Sequence, residues 1–274
     1  MRLLNGKELA EFIQERQAKQ VRALKQSEGI DPKLAIVVTD VDNPVIDVYM
    51  RLKSRYGNDI LIDVDVHKVP HTEAEALLNK LSIDDSVHGI IVQLPLAVPE
   101  DTDKIVGLIN PHKDVDGLVD HSDFEPATAL AIMWLLAGYN IDLVGKNVVL
   151  IGHGKLVGQP LEKLMLASGI EPVIVDKDTE NPNDIIADAD IIVSATGVAG
   201  LIKPDMLKHK AVVVDAGVAS EGGKTVGDVS PEVYEQRDDL TITPTKGGVG
   251  PLTVCALFDN VIRAAQKIAE KPAE

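Results

Sequence analysis

The chain is poor in the features that staple or anchor a small protein. Its single cysteine, Cys255, excludes an intramolecular disulfide and fits a reducing compartment. Only eight residues are aromatic (one Trp, four Tyr, three Phe), so the core must be filled by Val, Ile, Leu and Ala, the usual filling of buried parallel strands. Positive charge is scarce. The 27 Lys and Arg face 43 Asp and Glu, a net charge of −16 that repels phosphate backbones and argues against nucleic acid as a partner. No apolar run reaches membrane-spanning length. The longest, Ala127–Gly138, contains Thr128 and is expected to be a buried helix. The first residues lack the continuous apolar block of a secretory signal. The expectation is a soluble cytoplasmic protein that engages neither membrane nor nucleic acid.

What is present is enough for two domains of ordinary size: 274 residues, 45% of them hydrophobic. Residues 7–25 read as an amphipathic helix with Leu9, Phe12, Ile13, Val21 and Leu24 on one side. Lys33–Thr39 is a buried-strand run, Asp40–Pro44 a loop, and the next segment a helix carrying Tyr49 and Lys53. Ile60–Val69 alternates like a strand, Thr72 and Glu75 suit a capping box for a helix through Leu81, and Gly89–Leu96 reads as a strand ending at a proline. This repeated β-then-α order predicts a parallel sheet. Pro126–Gly138 predicts an apolar helix crossing between domains, and a second alternating series follows. Asn147–Ile151, Pro172–Val175, Asp190–Ala195 and Ala211–Ala216 read as its strands. A helix through Ala167 follows the first of them, Thr241–Gly250 reads as a strand end with a glycine loop, and the last helix runs from about Thr253 to Ala269. Lys271–Glu274 reads as a frayed tail.

Several groups stand out chemically. Tyr49 and Lys53 are four residues apart, so a helix puts phenol and amine on one face. A lysine enclosed in a cleft can be driven toward neutrality and can then move protons near pH 7. From spacing alone, the competing reading is an exposed helix lysine beside Arg51 and Arg55, with Tyr49 a half-buried structural phenol. Short-chain dehydrogenases carry Tyr-x-x-x-Lys after their dinucleotide turn. Here it comes long before Gly152-x-Gly154-x-x-x-Gly158, which argues for a catalytic domain preceding a cofactor domain. The glycine turn follows the strand run Val148–Ile151 and precedes a helix, the context in which glycines admit a pyrophosphate to a helix N-terminus. It is one residue longer than the standard spacing.

Asp176, just after the next strand, suits the adenosine ribose hydroxyls and NAD, while Lys177 could attract a 2′-phosphate. A plain solvated loop is the alternative. Gln93 is an amide within an apolar strand run and must find partners. Asp114 and Asp116 bracket Val115 in a turn before Gly117, without the neighbours a metal site needs. Gly247-Gly248-Val249-Gly250-Pro251 suggests a backbone that approaches a ligand, or else a flexible connector. His112, His121 and His153 stand isolated in sequence, no metal site is expected, and Cys255 reads as core.

Taken together and in order, these segments resemble the bifunctional methylenetetrahydrofolate dehydrogenase/cyclohydrolase family over nearly the whole chain. The carriers are Asn43-Pro44 with Tyr49-x-x-x-Lys53, Gly89 to Gln93-Leu94-Pro95, and Lys113-Asp114-Val115-Asp116-Gly117. They continue with Val157-Gly158-Gln159-Pro160, Gly227-Asp228-Val229, and Thr243-Pro244 leading to Gly247–Thr253. The resemblance implies an α/β fold of two domains. An N-terminal α/β catalytic domain, residues 1–121 closed by the C-terminal helix of 252–274, meets a Rossmann-type dinucleotide-binding domain, 122–251, across a folate-binding cleft. It implies oxidation of 5,10-methylenetetrahydrofolate with NAD or NADP, then hydrolysis to 10-formyltetrahydrofolate.

By the same resemblance Lys53 handles the proton, Gln93 hydrogen-bonds it, Tyr49 orients the folate and Asp116 binds the pterin. Gly248, Gly250 and Pro251 shape the substrate pocket. Gly152, His153, Gly154, Lys155, Val157, Gly158, Asp176, Lys177 and Thr128 serve the cofactor, and a homodimer is implied. The chain departs from the family at Pro126-Ala127-Thr128-Ala129-Leu130-Ala131, at Pro244-Thr245-Lys246, at Ile46 and at Gly152-His153-Gly154, where many members have Gly-Arg-Ser. The missing arginine and Asp176 favour NAD. The other departures keep open a single half-reaction or a non-catalytic regulator.

Overall fold

The computed structural model describes residues 1–39, 44–221 and 224–269. In chain order the elements are β1 (Arg2–Leu3), α1 (Gly6–Ala23), β2 (Lys33–Val38), α2 (Pro44–Asp59), β3 (Asp63–Lys68), α3 (Ala74–Ile83), β4 (Gly89–Val92) and α4 (Thr102–Val106). They continue with α5 (Ala127–Gly138), β5 (Val148–Ile151), α6 (Gly158–Ala167), β6 (Val173–Val175), α7 (Pro182–Ala187), β7 (Ile191–Ser194) and β8 (Val212–Asp215). The series closes with β9 (Ala219–Glu221), β10 (Lys224–Val226), α8 (Pro231–Gln236), β11 (Thr241–Ile242) and α9 (Val249–Ala269). The class is the expected one, α/β with parallel sheets in two units.

The first unit comprises Glu11–Ala127 and Val254–Glu274. Its sheet has the order β3-β2-β4, all parallel. Central β2 is covered on both faces, so its run KLAIVV is nearly continuous in apolar residues and Leu34 to Val38 are fully buried. Edge strand β3 instead alternates charge and valine. One face packs on α3 through Ala35, Val37, Leu78, Leu81, Ile90 and Val92. Residues 254–269 of α9 pack here too, with Phe258 against Tyr56 at a ring separation of 5.1 Å. Cys255 is core, as expected. It accepts from the Tyr56 hydroxyl at 3.1 Å, and burial pushes its thiol up to about 11.

The second unit comprises Met1–Ala10 and Thr128–Thr253. Its six strands run β1-β11-β8-β7-β5-β6, all parallel. β5 joins through α6 to β6 on one side and is flanked by β7 on the other, the strand-order reversal at which open α/β sheets bind ligands. The N-terminal strand belongs to this sheet: Arg2 N–H donates to Leu240 O and Leu4 N–H to Ile242 O, both at 2.8 Å. Residues 1–10 thus side with 128–253, although the expected division put 1–121 together.

Other local expectations change as well. Thr72 sits in a 3-10 turn over His71–Glu73, and no side chain caps α3, so the capping box does not form. Phe12 is on α1 but 68% exposed, off the buried side expected for it. Gly250 and Pro251 lie in the first turn of α9, not in a loop, because proline is tolerated where the helix N–H groups have no partner anyway. The loop expected at 40–44 falls mostly, and the tail at 271–274 wholly, outside the described residues. Among the described residues, no helix is long and apolar enough to cross a membrane.

Candidate functional site

α2 is the next helix after β2 in the chain, and Tyr49 and Lys53, four residues apart, lie on one side of it. Gln93 follows the last residue of β4, so it stands just past the strand rather than inside it. Its N–H continues the ladder to Val37 O at 2.9 Å, which holds the residue at the carboxyl edge of the sheet. The side-chain N–H2 donates to Leu94 O at 2.7 Å, and that bond turns Oε1 toward α2. Lys53 Nζ donates to this oxygen at 2.9 Å. Forty residues apart in sequence, the two are hydrogen-bonded in space.

Asp116 completes the group. Burial pushes the Lys53 amine below the usual lysine range, and the Asp116 carboxylate works against that shift. Burial raises the Asp116 carboxyl, opposed by Lys53. The amine is thus biased toward neutrality and the carboxyl toward protonation, and each acts on the other through its charge. Tyr49, one turn before Lys53 on α2, is 38% exposed.

The turn that carries Asp116 is held by Asp114, read from the sequence as a turn residue, and by Asn260, which drew no notice there. Ile90 N–H donates to Lys113 O at 2.7 Å, hanging the turn on the open side of β4. Asp114, fully buried, accepts from Gly117 N–H at 3.2 Å and Val119 N–H at 2.8 Å. It braces the turn and leaves Asp116 for Lys53. Asn260, also fully buried, reaches from α9 and donates to Val115 O at 2.9 Å and Glu125 O at 3.0 Å. A lone amide in the apolar run of α9 was the available signal. Asn260→Ala should cost about 2–4 kcal/mol, since two inward-facing carbonyls lose their donor. Urea unfolding measures this, and an unchanged midpoint would show that the turn stands without Asn260.

The glycine turn lies in the other unit. Gly152 N–H donates to Val175 O at 2.8 Å, and its φ of +93° is one that L side chains avoid. A Cβ on Gly158 would overlap the Gly152 carbonyl and come within 2.7 Å of His153 Cα, so the turn folds tightly onto the start of α6. Gly154 differs. A Cβ there meets nothing within 4 Å, so no protein neighbour requires the glycine, and the space over it is open to a ligand. Val157 is the N-cap of α6 and no side chain caps that end. Open space above a turn and an uncapped helix start fit a dinucleotide phosphate.

His153, isolated in sequence, pairs with Glu162 at 2.6 Å. Asp176 follows β6 and is exposed with Lys177. Its carboxyl is held below the usual range by the Thr179 hydroxyl, then by Asp178 N–H. Lys155 belongs to the same turn, and Thr128 sits half-buried in the first turn of α5. Gly248, Gly250 and Pro251 fall in this unit, whereas Tyr49, Lys53, Gln93 and Asp116 fall in the other.

A further brace secures the carboxyl ends of β7 and β8. Asp228, fully buried, accepts from the Ser194 hydroxyl at 2.7 Å and Thr196 N–H at 2.8 Å. Asp215 accepts from Asp228 N–H at 3.0 Å and Val229 N–H at 2.9 Å, and burial raises its carboxyl. Gly217 and Gly227 are where these carboxylates need room, since a Cβ on either would overlap the facing aspartate. Among the described residues, no group of three or more His, Cys, Asp or Glu could hold a metal ion.

Known proteins are similar to this chain in sequence and in fold. The family described as tetrahydrofolate dehydrogenase/cyclohydrolase matches twice: its catalytic domain over residues 4–116 and its NAD(P)-binding domain over 126–269. The bifunctional protein FolD of Lactobacillus helveticus is 39% identical over 279 residues, spanning 97% of this chain and 98% of the relative. The crystal structure of the FolD methylenetetrahydrofolate dehydrogenase/cyclohydrolase from Campylobacter jejuni superposes with a TM-score of 0.91 at 36% identity, covering 98% of this chain and 99% of that one. The Trypanosoma brucei enzyme, solved with NADP and an inhibitor, gives 0.90 at 28% identity over 98% of both chains. A chain matched by both domains of one family, and 39% identical to a curated member over nearly its full length, belongs to the tetrahydrofolate dehydrogenase/cyclohydrolase family.

Proposed function

We propose that this protein oxidises 5,10-methylenetetrahydrofolate to 5,10-methenyltetrahydrofolate with NAD(P)+ and then hydrolyses that product to 10-formyltetrahydrofolate. The Lys53–Gln93 hydrogen bond of 2.9 Å, with Asp116 in Coulombic reach, carries the reading. The nicotinamide, when bound, accepts the hydride that leaves the one-carbon bridge. Everything else is done by the chain. The methenyl product is a cation, and a fixed ammonium beside it would repel it. An amine depressed by burial avoids that cost and can take a proton from the attacking water. Gln93 Oε1 holds Nζ in place for that transfer. Asp116 accepts the paired N–H donors of the pterin, and its shared field with Lys53 couples substrate binding to the state of the amine. Tyr49 supplies a face for the folate ring, and Gly248, Gly250 and Pro251 let backbone approach the substrate.

For the cofactor, Gly152, Gly154 and Gly158 admit the pyrophosphate, with Lys155, Val157 and Thr128 around it. Asp176 takes the adenosine ribose hydroxyls. That carboxylate, and His153 where many members have arginine, favour NAD over NADP. Asp176→Ser should therefore weaken NAD by about fivefold and NADP less, in line with one lost hydrogen bond to a charged group. An equal effect on both would reduce Asp176 to surface charge. The enzyme works as a cytoplasmic homodimer on a small-molecule folate, as the family resemblance implies.

Ultraviolet absorbance after mixing with methylenetetrahydrofolate and either cofactor tests the whole reading. Reduced nicotinamide without a lasting methenyl signal is the expected result. Accumulating methenyl product would leave only the dehydrogenase, and binding without turnover would leave neither activity.

A further inference from the structure

One pair in the glycine turn has no part in the chemistry above. His153 Nε2 and Glu162 Oε2 are 2.6 Å apart, and the two side chains are only 32% and 31% exposed. Glu162 stands in the second turn of α6, so a carboxylate is brought back over the loop that cradles the phosphates. Asp176 lies close by. After Thr179 and Asp178, the His153 imidazole is a further contributor to its lowered carboxyl, so ring and carboxylate lie within Coulombic reach. Asp178 adds another acid two residues on.

A phosphomonoester such as a ribose 2′-phosphate carries about −1.5 to −2 at pH 7 and is held by arginine or lysine forks. Here the turn has no arginine, Lys155 and Lys177 are the site's cations in sequence, and a carboxylate is set directly against His153. The imidazole has one nitrogen committed to Glu162, and any charge on the ring is matched by that carboxylate. We propose that Glu162 is a specificity-determining residue: by holding His153 and setting a carboxylate against that ring, it excludes the 2′-phosphate and turns the site toward NAD. The proposal rests on the reading of Gly152–Gly158 and Asp176 as the adenosine end of the dinucleotide site. It goes beyond that reading by assigning discrimination to a residue on α6 that no glycine motif includes.

Titration calorimetry of NAD and NADP against the full-length protein, at one fixed ionic strength, is the test. Glu162→Gln keeps the side-chain volume and removes one charge. It should tighten NADP by about five- to tenfold, the size expected for one charge at partly screened distance, and leave NAD within about twofold. Glu162→Ala, which cannot replace the hydrogen bond to His153, should shift the same ratio in the same direction. Neither variant moving the ratio, or both ligands shifting together, overturns the role of Glu162. If Asp176→Ser weakens NAD while both Glu162 variants leave the ratio fixed, the ribose reading stands and this proposal alone fails. Wild-type protein that binds neither dinucleotide overturns both.

Discussion

Lys53→Met should lower hydrolysis of methenyltetrahydrofolate by about 10²–10⁴-fold, the range of general acid–base contributions, while dinucleotide affinity stays within about twofold. Methionine keeps the unbranched stem of the lysine and removes only the amine. The half-buried Gln93 loses one donor, and its second bond, to Leu94 O, is untouched. The Gly152–Gly158 turn belongs to the other unit, and the proposed reading gives Nζ no part in holding the dinucleotide. Lys53→Arg separates charge from proton transfer. Arginine stays protonated at every accessible pH, so it should not restore hydrolysis. The pH profile gives an independent check. Burial lowers the Lys53 pKa, so the neutral amine appears at lower pH than in a free lysine. The rate should rise with pH through a midpoint below about 10.4 and then level, and Lys53→Met should lack that rising limb. Unchanged hydrolysis in the methionine variant would remove Lys53 from the mechanism.

Gly158→Ala should be the most damaging change at the cofactor end. Its Cβ would overlap the Gly152 carbonyl and lie 2.7 Å from His153 Cα, both backbone, so neither can give without moving the turn or α6. A displacement of about 1 Å costs on the order of 10²-fold in rate where reactants must be aligned, and NAD and NADP should lose affinity together. Gly154→Ala is the contrasting variant. With nothing within 4 Å of its Cβ, it should leave the melting temperature unchanged. Any loss of dinucleotide affinity then reports the ligand's own approach to that backbone. Calorimetry on the two variants separates the effects, and wild-type affinity in Gly154→Ala would place the pyrophosphate elsewhere.

What the sequence disclosed follows from where each signal was local. β2, β5 and β7 are central strands covered on both faces, so KLAIVV, VVLI and IIVS announced themselves. Gln93 was legible as an oddity, an amide at the end of an apolar strand, while Lys53 between Arg51 and Arg55 stood out only by its spacing from Tyr49. Their contact is a property of β2, α2 and β4 meeting, and it entered the sequence argument only through resemblance. The start of α9 was hidden because Gly247 to Pro251 has loop composition, while the helix simply uses its proline in the first turn. Asn260 was missed, Asp228 entered only as part of a motif and Asp114 only as a turn residue, for a common reason. Each serves backbone atoms of another segment, and backbone carries no sequence signature. The His153–Glu162 pair spans nine residues across a turn, a separation for which no periodicity prepares the reader.

Two residues near the start of the chain, Arg2 and Leu3, lie in register with Thr241 and Ile242. During synthesis that edge has nothing to join until nearly nine-tenths of the polypeptide has been made, so the opening segment must wait while the middle of the chain collapses. A fragment cut at 122 and 251 to isolate the nucleotide module would bare one side of β11 and invite edge-to-edge association. A workable excision would instead carry the leading ten residues along, tethered to the other end, a permuted gene rather than a trimmed one.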